Sequence, residues 1–430
     1  MSDTRTSSSL PWGDFSPARL TALRTFLDGR SHTRSDVSAA VGQSIPSAAT
    51  HIDALESLGL IDSASSRDEQ ANHGVNGSGH GSGGPQISPE PSGSAGAGRP
   101  PAAWRLNPRA AGAVGIELRP GGPRRAAARV ATRIILLDGT IACERERAVG
   151  WNELRATRSL IRQETIDIQN SPDAAELSVV SLGIALPGVV DCERRVLIHA
   201  PNLFLSNASF SELEGDLGMP VFVDNEANAA ALAEHALILA PASGHAASTG
   251  DSMVRISITE GVGAGILVDG SLMRGETWRA GEFGHMAIRE GSRACNCGRT
   301  GCWEQYASER ALLADARAAG VHARTIQSVL RQVASGRGEA VPLWQSYIHA
   351  LATGIENIAA CIDPRTIIVG GEIATAGDLL VTPLRREVES ISFLTSGIQV
   401  DVSGLGPWPA SLGAALLSFG EIFQTPAVDR

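Results

Sequence analysis

One histidine and three cysteines fall within the eighteen residues from His285 to Cys302, in a glycine-rich segment that reads Gly281-Glu-Phe-Gly-His285 and then Cys295-Asn-Cys297-Gly-Arg-Thr-Gly-Cys302-Trp-Glu304. Zn²⁺ prefers a closed tetrahedral shell of nitrogen and sulfur donors, and His285, Cys295, Cys297 and Cys302 supply four. No ligand position is left for water, so the segment predicts one structural zinc per chain. Three of the six cysteines of the chain lie in this one stretch, a concentration that scattered buried thiols do not produce.

The rest of the composition sets the frame for that knuckle. A chain of 430 residues exceeds one compact core and is expected to form two to four domains. The formal net charge of −10 excludes a protein coated in basic charge for non-specific nucleic-acid binding. A small DNA-reading module remains compatible, because charge acts over about a Debye length. All 36 basic side chains are Arg, as codon bias in a GC-rich genome would produce. No apolar run approaches 18 residues, and the polar start Met1–Leu10 lacks the pattern of a secretion signal. The chain is therefore expected to be soluble and cytoplasmic, with no membrane partner and with its cysteines as reduced thiols or metal ligands.

Three textures divide the chain. Residues 1–16 are expected to be disordered. Residues 17–108 predict a winged helix-turn-helix with a flexible Gly/Ser-rich wing insertion over 63–98. Leu20, Leu23, Phe26 and Leu27 recur at helical spacing; Ser35 caps a short helix Asp36–Val41 that Gly42 ends. Ser44 caps a third helix, with Pro46 in its first turn and Ile45, Ala49, Ile52, Leu55 and Leu58 on its apolar face. Leu60–Asp62 and Ala103–Asn107 pair as wing strands. The third helix is expected to offer Ser47, Ala48, Thr50 and His51 to a major groove, with Arg34 on a phosphate and Arg99 reaching a minor groove from the wing. From Ala111 onward, Val/Ile/Leu runs alternate with helical stretches, the pattern of an α/β fold.

The Glu-x-Gly-His and Cys-x-Cys-Gly-x-x-Gly-Cys-x-Glu segments resemble the ROK family (repressors, open reading frames and kinases). The resemblance continues through Leu186-Pro187-Gly188-Val189-Val190-Asp191, Asp224-Asn225-Glu226-Ala227-Asn228, Val262-Gly263-Ala264-Gly265 and Val369-Gly370-Gly371. It implies a two-lobed actin-like sugar-kinase (RNase H-like) domain over 110–430. The small lobe would take about 110–230 plus the C-terminal helix, the large lobe about 231–404, with a sugar in the cleft between them. A sugar hydroxyl both donates and accepts, so its pocket needs carboxylates and amides on rigid elements. Asn225, Glu226, Glu282, His285 and Glu304 fit that need, and Gly188 would let backbone approach the ligand. By resemblance, His285 serves metal and sugar through different ring atoms.

Two departures separate this chain from the family's kinases, in which Asp is the general base where Glu226 stands here. Their opening phosphate loop, Asp-x-Gly-Gly-Thr, is replaced by Glu117-Leu118-Arg119-Pro120-Gly121-Gly122-Pro123. Proline lacks the amide proton that a phosphate nest uses. The second loop, Thr259-Glu260-Gly261-Val262-Gly263, brings a carboxylate toward the phosphate position. Phosphoryl transfer rests on positioning and electrostatics, so losing both loops predicts no catalysis. The reading is a DNA-binding repressor of carbohydrate genes, with operator DNA and a sugar or sugar phosphate as partners, acting as a homodimer or dimer of dimers. The alternative is an ATP-dependent sugar kinase with an accessory DNA-binding module.

Overall fold

The first helix, α1 (Pro17–Thr25), starts at the Ser16 cap with proline in its first turn, and buries Leu20, Ala22 and Leu23. The structure is a computed structural model and describes residues 15–64, 102–120, 128–150, 153, 156–203, 205–239, 252–289, 293–390 and 392–423. These residues divide between Ala111 and Gly112 into two compact units.

In the first unit a short strand, β1 (His32–Thr33), leads into α2 (Arg34–Val41). The cap of α2 is Thr33 rather than the expected Ser35. Thr33 accepts from the Asp36 amide while Asp36 accepts from the Thr33 amide, a reciprocal box that satisfies two orphan donors. Gly42, at φ +68°, ends the helix as expected. Ser44 caps α3 (Ile45–Ser57), whose buried residues are Ala48, Ile52 and Leu55. Ile45, placed on the apolar face by its spacing, is 53% exposed. The wing strands are β2 (Ile61–Ser63) and β3 (Ala103–Leu106), paired antiparallel with Ile61 opposite Leu106. β1 adds a third strand that the sequence reading lacks, giving the order β1-β3-β2.

The second unit repeats one plan twice. β4 (Gly112–Arg119), β5 (Ala128–Leu136) and β6 (Ile141–Val149) form an antiparallel meander, and β7 (Val179–Leu186) and β11 (Val221–Asn225) add in parallel beyond β4. The order is β11-β7-β4-β5-β6. Between them β8 (Val189–Asp191), β9 (Val196–Ala200) and β10 (Leu205–Ser209) make a small antiparallel sheet. The second large sheet has β12 (Met253–Ile258), β13 (Val262–Val268) and β14 (Ser271–Leu272) as its meander, with β15 (Thr366–Gly371) and β16 (Gln399–Val402) parallel beyond β12. Three antiparallel strands followed by two parallel ones, twice over, is the two-lobed architecture expected for residues 110–430.

Two helices join the lobes. The C-terminal helix Pro409–Phe423 lies on the first sheet, so close that a Cβ at Gly183 would stand 1.8 Å from the Ala414 carbonyl oxygen. The helix Glu226–Leu239 lies on β13 of the second. The two helices meet backbone to backbone, where a Cβ at Gly413 would fall 1.6 Å from the Ala229 carbonyl oxygen. Alanines 185, 229, 230, 410 and 414 fill this contact. Small side chains thus bring both lobes onto one helix pair, the element about which the cleft opens or closes.

Candidate functional site

The zinc segment folds as a knuckle on the second lobe. A 3₁₀ turn, Glu282–His285, delivers the histidine, and the chain returns through bridges pairing Ala294 with Thr300 and Ala287 with Cys302. Gly301, at φ +78°, leaves no room for a Cβ, which would stand 1.7 Å from the Arg289 carbonyl oxygen. One donor atom from each of His285, Cys295, Cys297 and Cys302 lies within 4.8 Å of the others. His285 Nδ1 faces Cys295 Sγ at 3.6 Å, and Cys297 Sγ faces Cys302 Sγ at the same distance. Three thiols and an imidazole at this spacing fit a tetrahedral Zn²⁺, and all four would hold it. Burial pushes the Cys295 thiol up to about 12, so an incoming cation must displace that proton.

The other side of His285 belongs to the cleft. Its Nε2 lies 3.8 Å from Glu282 Oε2, so the two ring nitrogens do face different partners. Glu304 opens the next helical turn, anchored by fully buried Trp303, whose indole donates to the Ala350 carbonyl at 2.8 Å. Glu304 Oε1 accepts from the Cys295 thiol at 3.0 Å. Burial holds Glu282 above the usual carboxylate range, with the Glu304 charge adding to the rise and His285 and Arg279 opposing it. Glu226 is pushed to about 7, first by burial and then by the Glu117 and Glu282 charges, against the opposing Arg119. Glu226, Glu282, His285 and Glu304 therefore share one cleft.

Asn225 and Gly188 have other work here. The Asn225 amide donates to the Gly188 carbonyl at 2.8 Å, and its Oδ1 accepts from the Ala227 and Asn228 amides at 2.7 and 3.3 Å. It is thus the N-cap of the helix carrying Glu226. Gly188 has φ +105° and would drive a Cβ to within 2.3 Å of the His199 carbonyl oxygen, so glycine is needed there for packing alone.

Several groups in or beside the cleft escaped the sequence reading. Glu117, 2% exposed, accepts from Arg119 Nε at 2.7 Å and from the Ser411 amide at 3.1 Å. Arg119 also donates to the Pro407 carbonyl and lies over the Trp408 ring at 4.0 Å. Gly121, Gly122 and Pro123 lie outside the described residues. In the second lobe, Glu309 is pushed to about 7 by burial and by the Glu372 and Glu260 charges, although the Glu372 amide donates to it at 2.8 Å. Arg274, beyond β14, forms a buried pair with Asp224 at 2.9 Å, an ion pair between the lobes.

In the first unit, Ala48 cannot face DNA: it is fully buried beside Ile52 and Leu55. Ser47 and Thr50 are exposed, with Ser47 Oγ 3.0 Å from Ser44 Oγ and Thr50 Oγ1 donating to the Pro46 carbonyl at 3.3 Å. Half-buried His51 pairs its Nε2 with Gln43 Oε1 at 3.1 Å, which adds Gln43 to the candidate interface. Arg34 is exposed and lies over Trp104 of β3 at 5.2 Å. Arg99 falls outside the described residues.

Similarity to known proteins follows the same outline. The chain is 27% identical to the xylose repressor of Bacillus subtilis over 280 residues, 64% of this chain and 71% of that one. It is 32% identical to the glucokinase of Streptomyces coelicolor over 48% of this chain and 69% of that one. A crystal structure titled as a ROK family transcriptional regulator, homologous to the E. coli MLC protein, has the same fold. Its TM-score is 0.72 at 22% identity, covering 95% of this chain and 96% of that one. The family model described as ROK family matches residues 134–419, running through both sheets, the cleft carboxylates and the knuckle, and the chain belongs to the ROK family.

Proposed function

We propose that this protein is a sugar-responsive DNA-binding transcriptional repressor whose kinase-like unit senses a sugar and has lost catalysis. The observation that carries the reading is the Glu117–Arg119–Ser411 arrangement: the strand that would open a phosphate loop is closed onto the chain's own last helix. The fold likeness to a transcriptional regulator over 95% of the chain supports it, as does the similarity to a xylose repressor. The similarity to glucokinases favours the second reading, a kinase.

The proposed division of labour follows from the residues. Glu226, Glu282 and Glu304 accept from sugar hydroxyls, and Asn225 sets the start of the helix that carries Glu226. Zn²⁺ on His285, Cys295, Cys297 and Cys302 supplies rigidity, with no ligand position open for chemistry. His285 Nε2 faces the sugar side. Ser47, Thr50, His51 and Arg34 read operator DNA as part of a dimer, with half-sites roughly one helical turn or a multiple apart. Sugar and operator are coupled by linkage, so each changes the other's affinity by the same factor, typically about 1–3 kcal/mol.

The discriminating experiment pairs two assays on the full chain. A coupled ADP-release assay with hexoses and pentoses is expected to give no turnover above background; ordinary sugar-kinase turnover overturns the reading in favour of the kinase. Operator affinity is then measured with and without sugar for the parent and for Glu282→Gln. The variant is expected to bind operator like the parent without sugar and to lose the response. A variant that responds like the parent puts the effector elsewhere.

A further inference from the structure

A cleft built to hold a phosphorylated sugar must offer the phosphoryl group cations or unsatisfied amide protons, because the group carries about −1.5 to −2 charges near neutral pH. Helix N-termini are the ready-made donors. In this unit two helices begin at the cleft, and both N-termini are occupied by the chain itself. The Ala227 and Asn228 amides donate to Asn225 Oδ1, and the Ser411 amide donates to Glu117 Oε2.

The cations are similarly engaged. Arg119 gives its Nε and Nη2 to Glu117, at 2.7 and 2.6 Å, and stacks on Trp408. Arg274 is held by Asp224. Arg255, 2% exposed, is held by Glu234 at 3.1 Å and by Ser257. Arg279 is exposed and lies beside Glu282, whose charge it offsets. Against these stand Glu226, Glu282 and Glu304 on the sugar side and Glu260, Glu309 and Glu372 on the second lobe's side. Among the described residues, every direction from which a phosphoryl group could enter meets a carboxylate before it meets a free cation.

We infer that the effector is an unphosphorylated sugar, and that the cleft carboxylates exclude the phosphate ester of the same sugar. The inference rests on the sugar-cleft reading above and narrows it to one ligand class. Hydroxyl groups suit this wall, since they donate to carboxylates without bringing charge. A phosphoryl group would be repelled by at least two uncompensated carboxylates in a partly desolvated site, which predicts roughly tenfold or greater discrimination.

The test is isothermal titration calorimetry of the full, metal-loaded chain at pH 8, with matched pairs: glucose and glucose 6-phosphate, xylose and xylose 5-phosphate, N-acetylglucosamine and its 6-phosphate. The expected result is that the sugar that binds outbinds its ester by about tenfold or more in 50 mM salt, with the gap narrowing in 500 mM salt. An ester that binds as tightly as its parent sugar, or more tightly, overturns the inference and leaves the sugar reading intact. A panel in which nothing binds overturns both. Glu226→Gln should narrow the ratio several-fold, with Glu282→Gln as a second variant should the first misfold. An unchanged ratio in a folded variant overturns exclusion by these carboxylates.

Discussion

The two large sheets share one strand order yet treat the turn after their first strand in opposite ways. In the first lobe, β4 ends on Glu117 and Arg119, which neutralise each other and cap the C-terminal helix. In the second, β12 ends on a tight turn in which the Thr259 amide donates to the Gly261 carbonyl at 2.9 Å. Exposed Glu260 sits on that turn, with Glu309 and Glu372 nearby. One turn closes by consuming its cation, the other by accumulating anions. Phosphate affinity can be removed from either end of Coulomb's law, and a duplicated topology leaves each lobe free to take its own route. The lobes also differ in what holds them. The first relies on packing around Val114, Ile116, Leu182 and Ile184, whereas the second adds the metal knuckle to a core around Trp303 and Ile355.

The largest expected effect separates the lobes by that difference. Zinc chelation or Cys297→Ser should release the knuckle and with it Glu282, His285 and Glu304. Metal analysis is expected to give one equivalent for the parent and well under one for the variant. Hydrogen exchange should rise around 282–304 while β4–β7 stays protected. Equal loss of protection in both sheets would break the contrast. A smaller effect is expected in the first lobe. Arg119→Ala leaves Glu117 buried without its guanidinium, although the Ser411 amide remains, so a cost of about 3 kcal/mol is expected in denaturant unfolding. Kinase turnover should stay absent in this variant; its appearance would mean that Arg119 alone blocks the phosphate loop.

How much of this could be read from the chain depends on how local each feature is. The metal set was legible because its four donors lie within eighteen residues. The caps at Gly42 and Ser44 were legible for the same reason, while Thr33 displaced Ser35 because only Thr33 closes the reciprocal box with Asp36. Helical periodicity put Ile45 and Ile52 on one face, but the first turn of α3 runs past the edge of the small core, and Ala48 takes the buried place. Asn225 was recognised by its motif, yet its side chain is used on helix Glu226–Leu239 itself, a use no pattern distinguishes from ligand binding. The Arg119 contact with Pro407 spans 288 residues, and the Arg274–Asp224 pair joins two lobes, so no local pattern could have foretold either.

The smallest expected effect tests the electrostatics of the shared cleft through pH. Glu226 has its pKa raised from 4.5 to about 7 by burial and by Glu117 and Glu282. The folded state therefore keeps a proton that the unfolded chain gives up. Below pH 4.5 both states are protonated and the residue costs nothing; as pH rises from 4.5 to 7 the folded state is progressively penalised, and above 7 the penalty is complete. Glu226→Gln mimics the protonated form and removes that penalty. The variant should match the parent in stability near pH 4.5 and exceed it by roughly 1–2 kcal/mol at pH 8, with the gap opening between those values. Unfolding of both proteins across this range measures it. Because Glu117 reaches Glu226 from β4 and Glu282 reaches it from the second lobe, the gap should shrink in Glu282→Gln. A gap that is flat with pH would mean that Glu226 is not under the combined field of the two lobes, and the acidic wall would then belong to the second lobe alone.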